Sequence, residues 1–295
     1  MGEGSVFVSI VGKPNMGKST LLNRLIGAKV AIISPKPQTT RSRILGILTE
    51  GETQFVFSDT PGFHRPQTRL GEHMVKAVMD SADDADAALF LTYPKPYLDD
   101  EEKQLFESVA GRGAPVILVI NKSDTAQSKK KVADCLTALS AEYPFSDSIA
   151  VSAVTGDGLQ ELKQLIKSYA AEGPHFFPDD ALTDQPERVI VAELVREQLL
   201  KELRDELPHG CAVYTESFSE RADQSVTDID VTIMCEKDSH KGMIIGKGGS
   251  MLKKIATAAR LSAEDFLGCH VNLKCFVKVK EGWRDSDSMI DLLGL

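Results

Sequence analysis

Short apolar runs alternate with longer amphipathic segments along the first 170 residues of the chain. The apolar runs, which we interpret as strands, lie at 5–11, 54–58, 87–92, 115–120 and 148–152. One further strand is expected within 40–48, beside 54–58. Helix-like patterns lie between or after them, at 18–27, 68–80, 99–111, 128–142 and 158–171. This alternation predicts an α/β domain, a mainly parallel sheet with helices on both faces.

The pattern changes near residue 172. Residues 172–187 hold three prolines and several acidic side chains, a composition typical of a domain boundary. We therefore expect a first domain at 1–172, a linker at 173–186 and a second, α+β domain at 187–295. The elements expected in the second domain are a charged helix with a solvent-facing outer side at 187–207, strands at 211–219 and 226–236, a helix at 250–260, a strand at 270–280 and a final helix near 284–293.

The sequence GKPNMGKS between the first strand and the first helix predicts a phosphate-binding loop. It fits the pattern G-x-x-x-x-G-K-[ST], in which backbone N–H groups and a helix N-terminus surround phosphate oxygens. Lys18 is expected to reach the β- and γ-phosphates, and the Ser19 hydroxyl to bind Mg²⁺. The residues predicted to contact the nucleotide here are Gly12, Lys13, Pro14, Asn15, Met16, Gly17, Lys18, Ser19 and Thr20.

A second segment, Asn121-Lys122-Ser123-Asp124, predicts which base is bound. The Asp124 carboxylate can accept hydrogen bonds from N1–H and the 2-amino group of guanine, whereas adenine would leave it unpaired. Lys122 can lie along the base, and Asn121 can connect the base to the phosphate loop. By their position after a later strand, Ser152 and Ala153 are expected to complete this pocket, with the Ala153 N–H near guanine O6.

The segment Asp59-Thr60-Pro61-Gly62 also follows an apolar strand. Asp59 is expected to hold Mg²⁺ through water, and the Gly62 N–H to contact the γ-phosphate. A threonine from Gln38-Thr39-Thr40-Arg41 is expected as a further Mg²⁺ ligand. We prefer Thr40 and keep Thr39 as the alternative.

These segments, in this order and followed by GKGG near the C-terminus, resemble the Era-like branch of the translation-factor-like GTPases. The resemblance covers nearly the whole chain. It implies a GTP/GDP-binding, GTP-hydrolysing switch joined to a type II KH domain. It also implies binding to the 3′ end of 16S rRNA and a role in assembly of the 30S ribosomal subunit. GTP and Mg²⁺ would order 34–42 and 59–73 in such a switch.

The position after Gly62 holds Phe63, where many GTPases carry a water-orienting glutamine. A phenyl ring cannot form a conventional hydrogen bond to water, so slow intrinsic turnover is expected. His64, Arg41 and Arg43 are weaker candidates for a catalytic group. In related cation-activated GTPases an asparagine at the position of Asn15 helps to bind K⁺, so the resemblance implies stimulation by K⁺, as it does by RNA. The groups expected to serve hydrolysis are thus Lys18, Thr40, Gly62 and Asn15.

The segment Gly246-Lys247-Gly248-Gly249 fits the G-x-x-G loop by which KH domains hold about four nucleotides of single-stranded RNA. Between Lys237 and Arg284 the chain carries ten Lys and Arg and four Asp and Glu residues, although its overall net charge is −9. This local excess of positive charge favours a polyanionic partner. The residues predicted to bind RNA are Lys241, Ile244, Ile245, Gly246, Lys247, Gly248, Gly249, Lys253 and Lys254.

The composition restricts the class of protein but does not point to particular site residues. The chain is 42% hydrophobic and 26% charged, and five cysteines without a C-x-x-C pair are typical of reduced thiols. We expect a cytoplasmic monomer, and the resemblance allows a peripheral contact with the inner face of the cell membrane. Two alternatives stay open at this point: a metabolic P-loop kinase, and an RNA-binding module whose nucleotide site is structural.

Overall fold

The computed structural model describes residues 3–63, 66–204, 207–221 and 225–295. The chain divides into two compact units. The first unit contains the chain up to Ala31, Thr40–Gln67 and Gly71–Asp184. The second contains Ile32–Thr39, Thr68–Leu70 and Gln185–Leu295.

The first unit is built around a seven-stranded sheet with the order β2-β3-β1-β4-β5-β6, and the short β7 pairs with β1. The strands are β1 (Gly4–Gly12), β2 (Ile44–Glu50), β3 (Thr53–Asp59), β4 (Ala87–Thr92), β5 (Val116–Ile120), β6 (Asp147–Ala150) and β7 (Ala171–Glu172). The helices are α1 (Lys18–Ile26), α2 (Arg69–Asp83), α3 (Asp100–Ala110), α4 (Lys129–Glu142) and α5 (Leu159–Lys167).

The central strands β3, β1, β4, β5 and β6 are parallel, and β2 runs antiparallel to β3. Alternate residues of the buried strands enter two different apolar clusters. Leu89 and Leu91 of β4 belong to one cluster, whereas Ala88 and Phe90 belong to the other. Two separate cores on the two faces of one parallel sheet confirm the predicted α/β architecture.

The stretch predicted to be a linker, 173–186, belongs to the first unit up to Asp184. Gln54 of β3 is fully buried, and its side-chain oxygen accepts hydrogen bonds from the backbone N–H groups of Phe176 and Phe177, at 2.9 and 3.0 Å. Its amide nitrogen donates to the Phe177 carbonyl at 2.9 Å. Gln54 thus ties the backbone of Phe176 and Phe177 to β3, and the chain passes from the first unit to the second between Asp184 and Gln185, inside the stretch predicted as a linker.

The second unit contains a three-stranded sheet with the order β10-β9-β8, in which β9 and β10 are parallel and β8 is antiparallel to β9. Its elements are α6 (Glu187–Glu202), β8 (Ala212–Glu220), β9 (Val226–Cys235), α7 (Asp238–Ile245), α8 (Ser250–Leu267), β10 (His270–Val279) and α9 (Asp287–Leu292). The order helix–strand–strand–helix–helix–strand is that of a type II KH domain, as predicted. Helix α8 is longer than the 250–260 expected and ends at Leu267, where the left-handed Gly268, with φ 68°, caps it.

Helix α6 corrects one expectation. The sequence predicts a charged, solvent-facing outer side, yet Arg196 and Glu197 are only 2% and 1% exposed. Arg196 pairs with Glu193 at 2.6 Å and also donates to the backbone carbonyl of Thr39 in the same unit. Glu197 pairs with Lys201 at 2.9 Å. Burial of these charges is tolerated because each has a partner. The two ion pairs have ordinary helical spacing, but the contact with Thr39 and the burial itself depend on the fold.

Two global expectations can be compared with the described residues. None of their helices is long and apolar enough to cross a membrane. All five cysteines are described and carry free thiols, and Cys135, Cys211 and Cys235 are buried.

Candidate nucleotide and nucleic-acid sites

The phosphate loop lies at the carboxyl end of β1 and leads directly into α1. Gly17 precedes the helix with φ 90°, a conformation that favours glycine. A Cβ atom at this position would lie 2.5 Å from Nδ2 of Asn121, so a side chain would also clash with the predicted base-binding segment. Both constraints explain why glycine stands at this point of the loop.

Lys18 is buried beneath the loop, with 6% of its surface exposed. Its Nζ donates to the carbonyl oxygens of Gly12 and Lys13, both at 3.0 Å. Burial lowers the pKa of Lys18 to about 8, and the nearby Asp59 carboxylate opposes part of this shift. An ammonium group held in this way is available for phosphate oxygens, which would replace the lost hydration.

Three oxygen-bearing side chains converge beside Lys18. Oδ2 of Asp59 accepts hydrogen bonds from the Ser19 hydroxyl at 2.7 Å and the Thr40 hydroxyl at 3.0 Å, and the two hydroxyl oxygens lie 2.9 Å apart. Thr39, the alternative ligand, instead donates its hydroxyl to the Lys36 carbonyl. The structure thus brings Thr40, and not Thr39, to the carboxylate.

The other carboxylate oxygen, Oδ1 of Asp59, is buried without a hydrogen-bond partner among the described residues. Asp59 is fully buried, and burial raises its pKa in spite of Lys18 and the two hydroxyl groups. An unsatisfied buried anionic oxygen beside two hydroxyl oxygens fits a small, hard cation, because Mg²⁺ prefers carboxylate, hydroxyl and water oxygens.

The predicted base-binding residues also meet. The Asn121 side chain donates to the Met16 carbonyl of the phosphate loop at 2.8 Å and accepts from the Ala153 N–H at 3.0 Å. The Ser152 hydroxyl donates to Asp124 at 2.6 Å, which fixes the carboxylate that is predicted to bind guanine. Asn121 therefore connects the phosphate loop to the base-binding loops, as expected from its position.

Lys122 reaches the phosphate loop as well. Its Nζ donates to the Asn15 carbonyl at 2.6 Å. Both residues have positive φ angles, 60° and 63°, which are uncommon for residues other than glycine. The Asn15 side chain is exposed, so it is accessible to a ligand at the outer side of the loop.

The segment after β3 packs against the phosphate loop. A Cβ atom at Gly62 would lie 2.7 Å from the Pro14 ring, so glycine is required for this approach. The Thr60 hydroxyl donates to the Ile10 carbonyl at 2.8 Å, and Pro61 is buried beside it. The Phe63 ring packs against the apolar cluster that contains Phe90 and Phe106, which agrees with the expectation that it does not orient water.

The remaining candidates of the first unit are less informative. Arg43 pairs with Asp84 at 2.9 Å, and Arg41 is 3% exposed. Thr20 lies in the first turn of α1. His64 lies outside the described residues.

In the second unit, the G-x-x-G loop connects α7 to α8. Gly246, Gly248 and Gly249 have φ angles of 71°, 59° and 78°, so three of its four residues adopt conformations that favour glycine. Cβ atoms at Gly248 and Gly249 would meet no atom within 4 Å, and Lys247 is exposed. This surface is open to the close approach of another backbone.

The flanking residues agree with the prediction only in part. Ile244 is fully buried in the apolar core of the unit, so it cannot contact RNA. Ile244 packs α7 against the core of the unit. The sequence alone does not distinguish an isoleucine with this packing role from one that contacts a base. Ile245 and Lys241 are partly exposed and Lys253 is exposed. Lys254 pairs with Glu202 of α6.

Sequence reasoning missed the partners of Lys13. Its Nζ lies 3.1 Å from Asp99 and 2.7 Å from Glu101, at the start of α3. One signal was available: Asp99 and Glu102 have the D-x-x-E spacing of a capping box, which places a carboxylate at the carboxyl edge of the sheet.

The fold and the first site place the chain in the class of P-loop GTPases that carry a C-terminal KH domain. Two family models match it: one described as a 50S ribosome-binding GTPase covers residues 7–122, and a KH-domain model covers 206–284. The GTPase Era of Clostridium acetobutylicum is 47% identical over 290 residues, 98% of this chain and 97% of that protein. The GTPase Era of Caldanaerobacter subterraneus subsp. tengcongensis is 45% identical over 288 residues, 98% of this chain and 96% of that protein.

Two solved structures are similar over almost the whole chain. One is Era in complex with MgGDPNP and nucleotides 1506–1542 of 16S ribosomal RNA, with a TM-score of 0.95, 36% identity and 99% of each chain covered. The other is an Aquifex aeolicus Era variant bound to GDP and AlF4⁻, with a TM-score of 0.94, 37% identity and coverage of 100% of this chain and 99% of that one. The chain belongs to the Era family of GTPases. This membership confirms the GTPase interpretation over a metabolic kinase or a structural nucleotide site.

The lowered pKa of Lys18 predicts that nucleotide binding takes up protons near pH 8. Bound phosphates stabilise the ammonium form, so a lysine that is half protonated in the free protein becomes fully protonated in the complex. We expect an uptake of about half a proton per GDP at pH 8, falling towards zero at pH 7. Calorimetry in two buffers with different ionisation enthalpies measures this number.

The matched control is Lys18→Arg, whose guanidinium stays charged in both states and should show no uptake at pH 8. An uptake near zero in the unchanged protein at every pH from 7 to about 10, with GDP bound, would contradict a lowered pKa of Lys18 that the bound phosphates raise again.

Proposed function

We propose that this protein is a guanine-nucleotide switch that binds the 3′ end of 16S rRNA through its KH domain and assists assembly and maturation of the 30S subunit. The observation that carries the RNA part is the open G-x-x-G loop between α7 and α8, with glycine conformations at Gly246, Gly248 and Gly249. The full-length similarity to an Era bound to a 16S rRNA fragment supports the same assignment.

The residues described above have distinct roles in this proposal. Lys18 and the N–H groups of the phosphate loop bind the β- and γ-phosphates, and Asp124, held by Ser152, binds the guanine edge. Ser19, Thr40 and Asp59 would hold Mg²⁺, which would supply positive charge that stabilises the phosphates. The Gly62 N–H contacts the γ-phosphate.

Hydrolysis is expected to be slow, because Phe63 packs on the apolar core and offers no group that orients water. We propose that K⁺ supplies part of the missing stabilisation of charge, beside the exposed Asn15. Asn15 has a left-handed backbone, with φ 63°, and its exposed side chain is accessible to a hydrated cation.

The test compares GTP hydrolysis in K⁺ and Na⁺ buffers of equal ionic strength. We expect a rate at least about tenfold higher in K⁺, since a charge placed at the phosphates lowers the barrier by more than about 1.4 kcal/mol. The advantage should disappear in Asn15→Ala. Equal rates of the unchanged protein in the two salts would sink the K⁺ proposal.

The choice of the small subunit rests on whole-chain similarity. The description of one family model names the 50S ribosome, but that model covers only 7–122. The similar Era structure that contains 16S rRNA matches 99% of the chain, including the KH domain. We give the full-chain match more weight, because the KH domain is the part expected to contact RNA. A cytoplasmic monomer, with peripheral contact to the inner face of the membrane implied by family resemblance alone, completes the proposal.

The RNA assignment is tested by crosslinking in cells with the variant Lys247→Asp/Gly248→Asp. We expect enrichment of the 16S rRNA 3′ end for the unchanged protein and its loss in the variant, because negative charge and side chains in the loop exclude the RNA backbone. The control is Lys130→Asp, a charge reversal of an exposed lysine on α4, which should keep the enrichment. Enrichment that persists in the loop variant would overturn our account of 246–249.

A further inference from the structure

The side chain of Lys13 points away from the phosphate loop and forms ion pairs with the carboxylates of Asp99 and Glu101. Its Nζ lies 3.2 and 3.1 Å from the two oxygens of Asp99 and 2.7 Å from Glu101. The Lys13 carbonyl, in turn, accepts a hydrogen bond from Lys18. One residue of the loop thus connects the buried phosphate lysine to the start of α3.

The position of Asp99 is fixed by a capping box. Its side chain accepts the Glu102 N–H at 3.1 Å, and the Glu102 side chain accepts the Asp99 N–H at 3.0 Å. Glu102 is fully buried and accepts a further hydrogen bond from Thr92 at the end of β4. Asp99 therefore stands on a helix end that is tied to the central sheet, not on a mobile surface loop.

A second lysine, Lys95, also helps to hold Asp99 and Glu102 in place. Lys95 pairs with Glu102 and lies 3.1 Å from Asp99. Its Nζ also lies 4.8 Å from the ring centre of Tyr93 and 5.3 Å from that of Tyr97, and only 5% of the residue is exposed. The aromatic rings shield this ion pair from solvent, so its geometry is held more firmly than that of an exposed pair.

The carboxylates at the start of α3 outnumber the cations beside them, and Lys13 reduces this excess of negative charge. Lys95 leaves two negative charges uncompensated among Asp99, Glu101 and Glu102, and Lys13 reduces this excess to one. These carboxylates stand beside a loop that must receive a nucleotide with several negative charges. Their repulsion would oppose binding if no cation stood between them and the loop.

We infer that Asp99 and Glu101 are positioning residues of the phosphate-binding loop that act through Lys13, and that Lys13 is the counter-cation that makes these carboxylates compatible with a bound nucleotide. The contact fixes the loop backbone at Lys13, whose carbonyl holds Lys18. This inference rests on the nucleotide site proposed above and adds two residues, Asp99 and Glu101, that lie outside the GTPase motifs of the sequence.

The test measures GDP affinity by fluorescence titration in Lys13→Met and in the triple variant Lys13→Met/Asp99→Asn/Glu101→Gln. We expect Lys13→Met to weaken binding roughly tenfold, because two carboxylates lose their counter-charge. The triple variant should recover to within about threefold of the unchanged protein, since the repulsion is gone and Asn can still cap α3. Lys13→Arg should bind nearly as well as the unchanged protein.

The recovery separates this role from mere support of the fold, because a lost structural contact is not restored by removing its partners. Lys163→Met is the matched control: it breaks a Lys–Glu pair between α5 and β2 in the same unit and should leave GDP affinity unchanged. Thermal unfolding of each variant shows whether it is folded.

Two results would overturn the inference: Lys13→Met with unchanged affinity, or a triple variant as weak as Lys13→Met. Lys18→Met separates these outcomes from failure of the proposed site. If Lys18→Met loses GDP and Lys13→Met does not, only the present inference fails. If Lys18→Met binds GDP normally, the proposed nucleotide site itself is wrong.

Discussion

The burial of Lys18 and Asp59 at one edge of the sheet is the constraint on which the nucleotide site depends. A charged side chain removed from water is costly unless partners replace its hydration. Here the protein supplies only part of that replacement: carbonyl oxygens for the lysine and two hydroxyl groups for one carboxylate oxygen. In the proposed function, phosphate and Mg²⁺ would supply the remaining partners of groups that the protein already holds in place.

The surrounding contacts keep this costly arrangement from relaxing. Asn121 holds the loop at Met16, and Lys122 holds it at Asn15. Lys13 forms ion pairs with the carboxylates at the start of α3. These contacts, with the Gly12 and Lys13 carbonyls that accept hydrogen bonds from Lys18, hold the loop over the lysine. In the second unit, by contrast, the G-x-x-G loop leaves its glycine surface open: Cβ atoms at Gly248 and Gly249 would meet no atom within 4 Å.

The residues that local motifs single out lie together in the fold, because the predicted chemistry needs specific residues at fixed spacing. The phosphate loop, the N-K-x-D segment and the choice of Thr40 over Thr39 all agree with the geometry. Long-range burial was not predictable from the same pattern. Arg196 is buried with one partner on its own helix, Glu193, and a second from a distant part of the chain, the Thr39 carbonyl. Ile244 packs inward although its neighbour Ile245 is partly exposed. The partners of Lys13, 86 and 88 positions away, needed the fold itself.

The most direct test of this account is the Mg²⁺ dependence of binding of a non-hydrolysable GTP analogue, compared between the unchanged protein and Asp59→Asn. The unsatisfied Oδ1 of Asp59 is the feature that we assign to the metal. The account predicts that chelating Mg²⁺ weakens binding to the unchanged protein by more than about tenfold, and that Asp59→Asn loses most of this dependence. A variant that binds the analogue with the full Mg²⁺ dependence of the unchanged protein would contradict it.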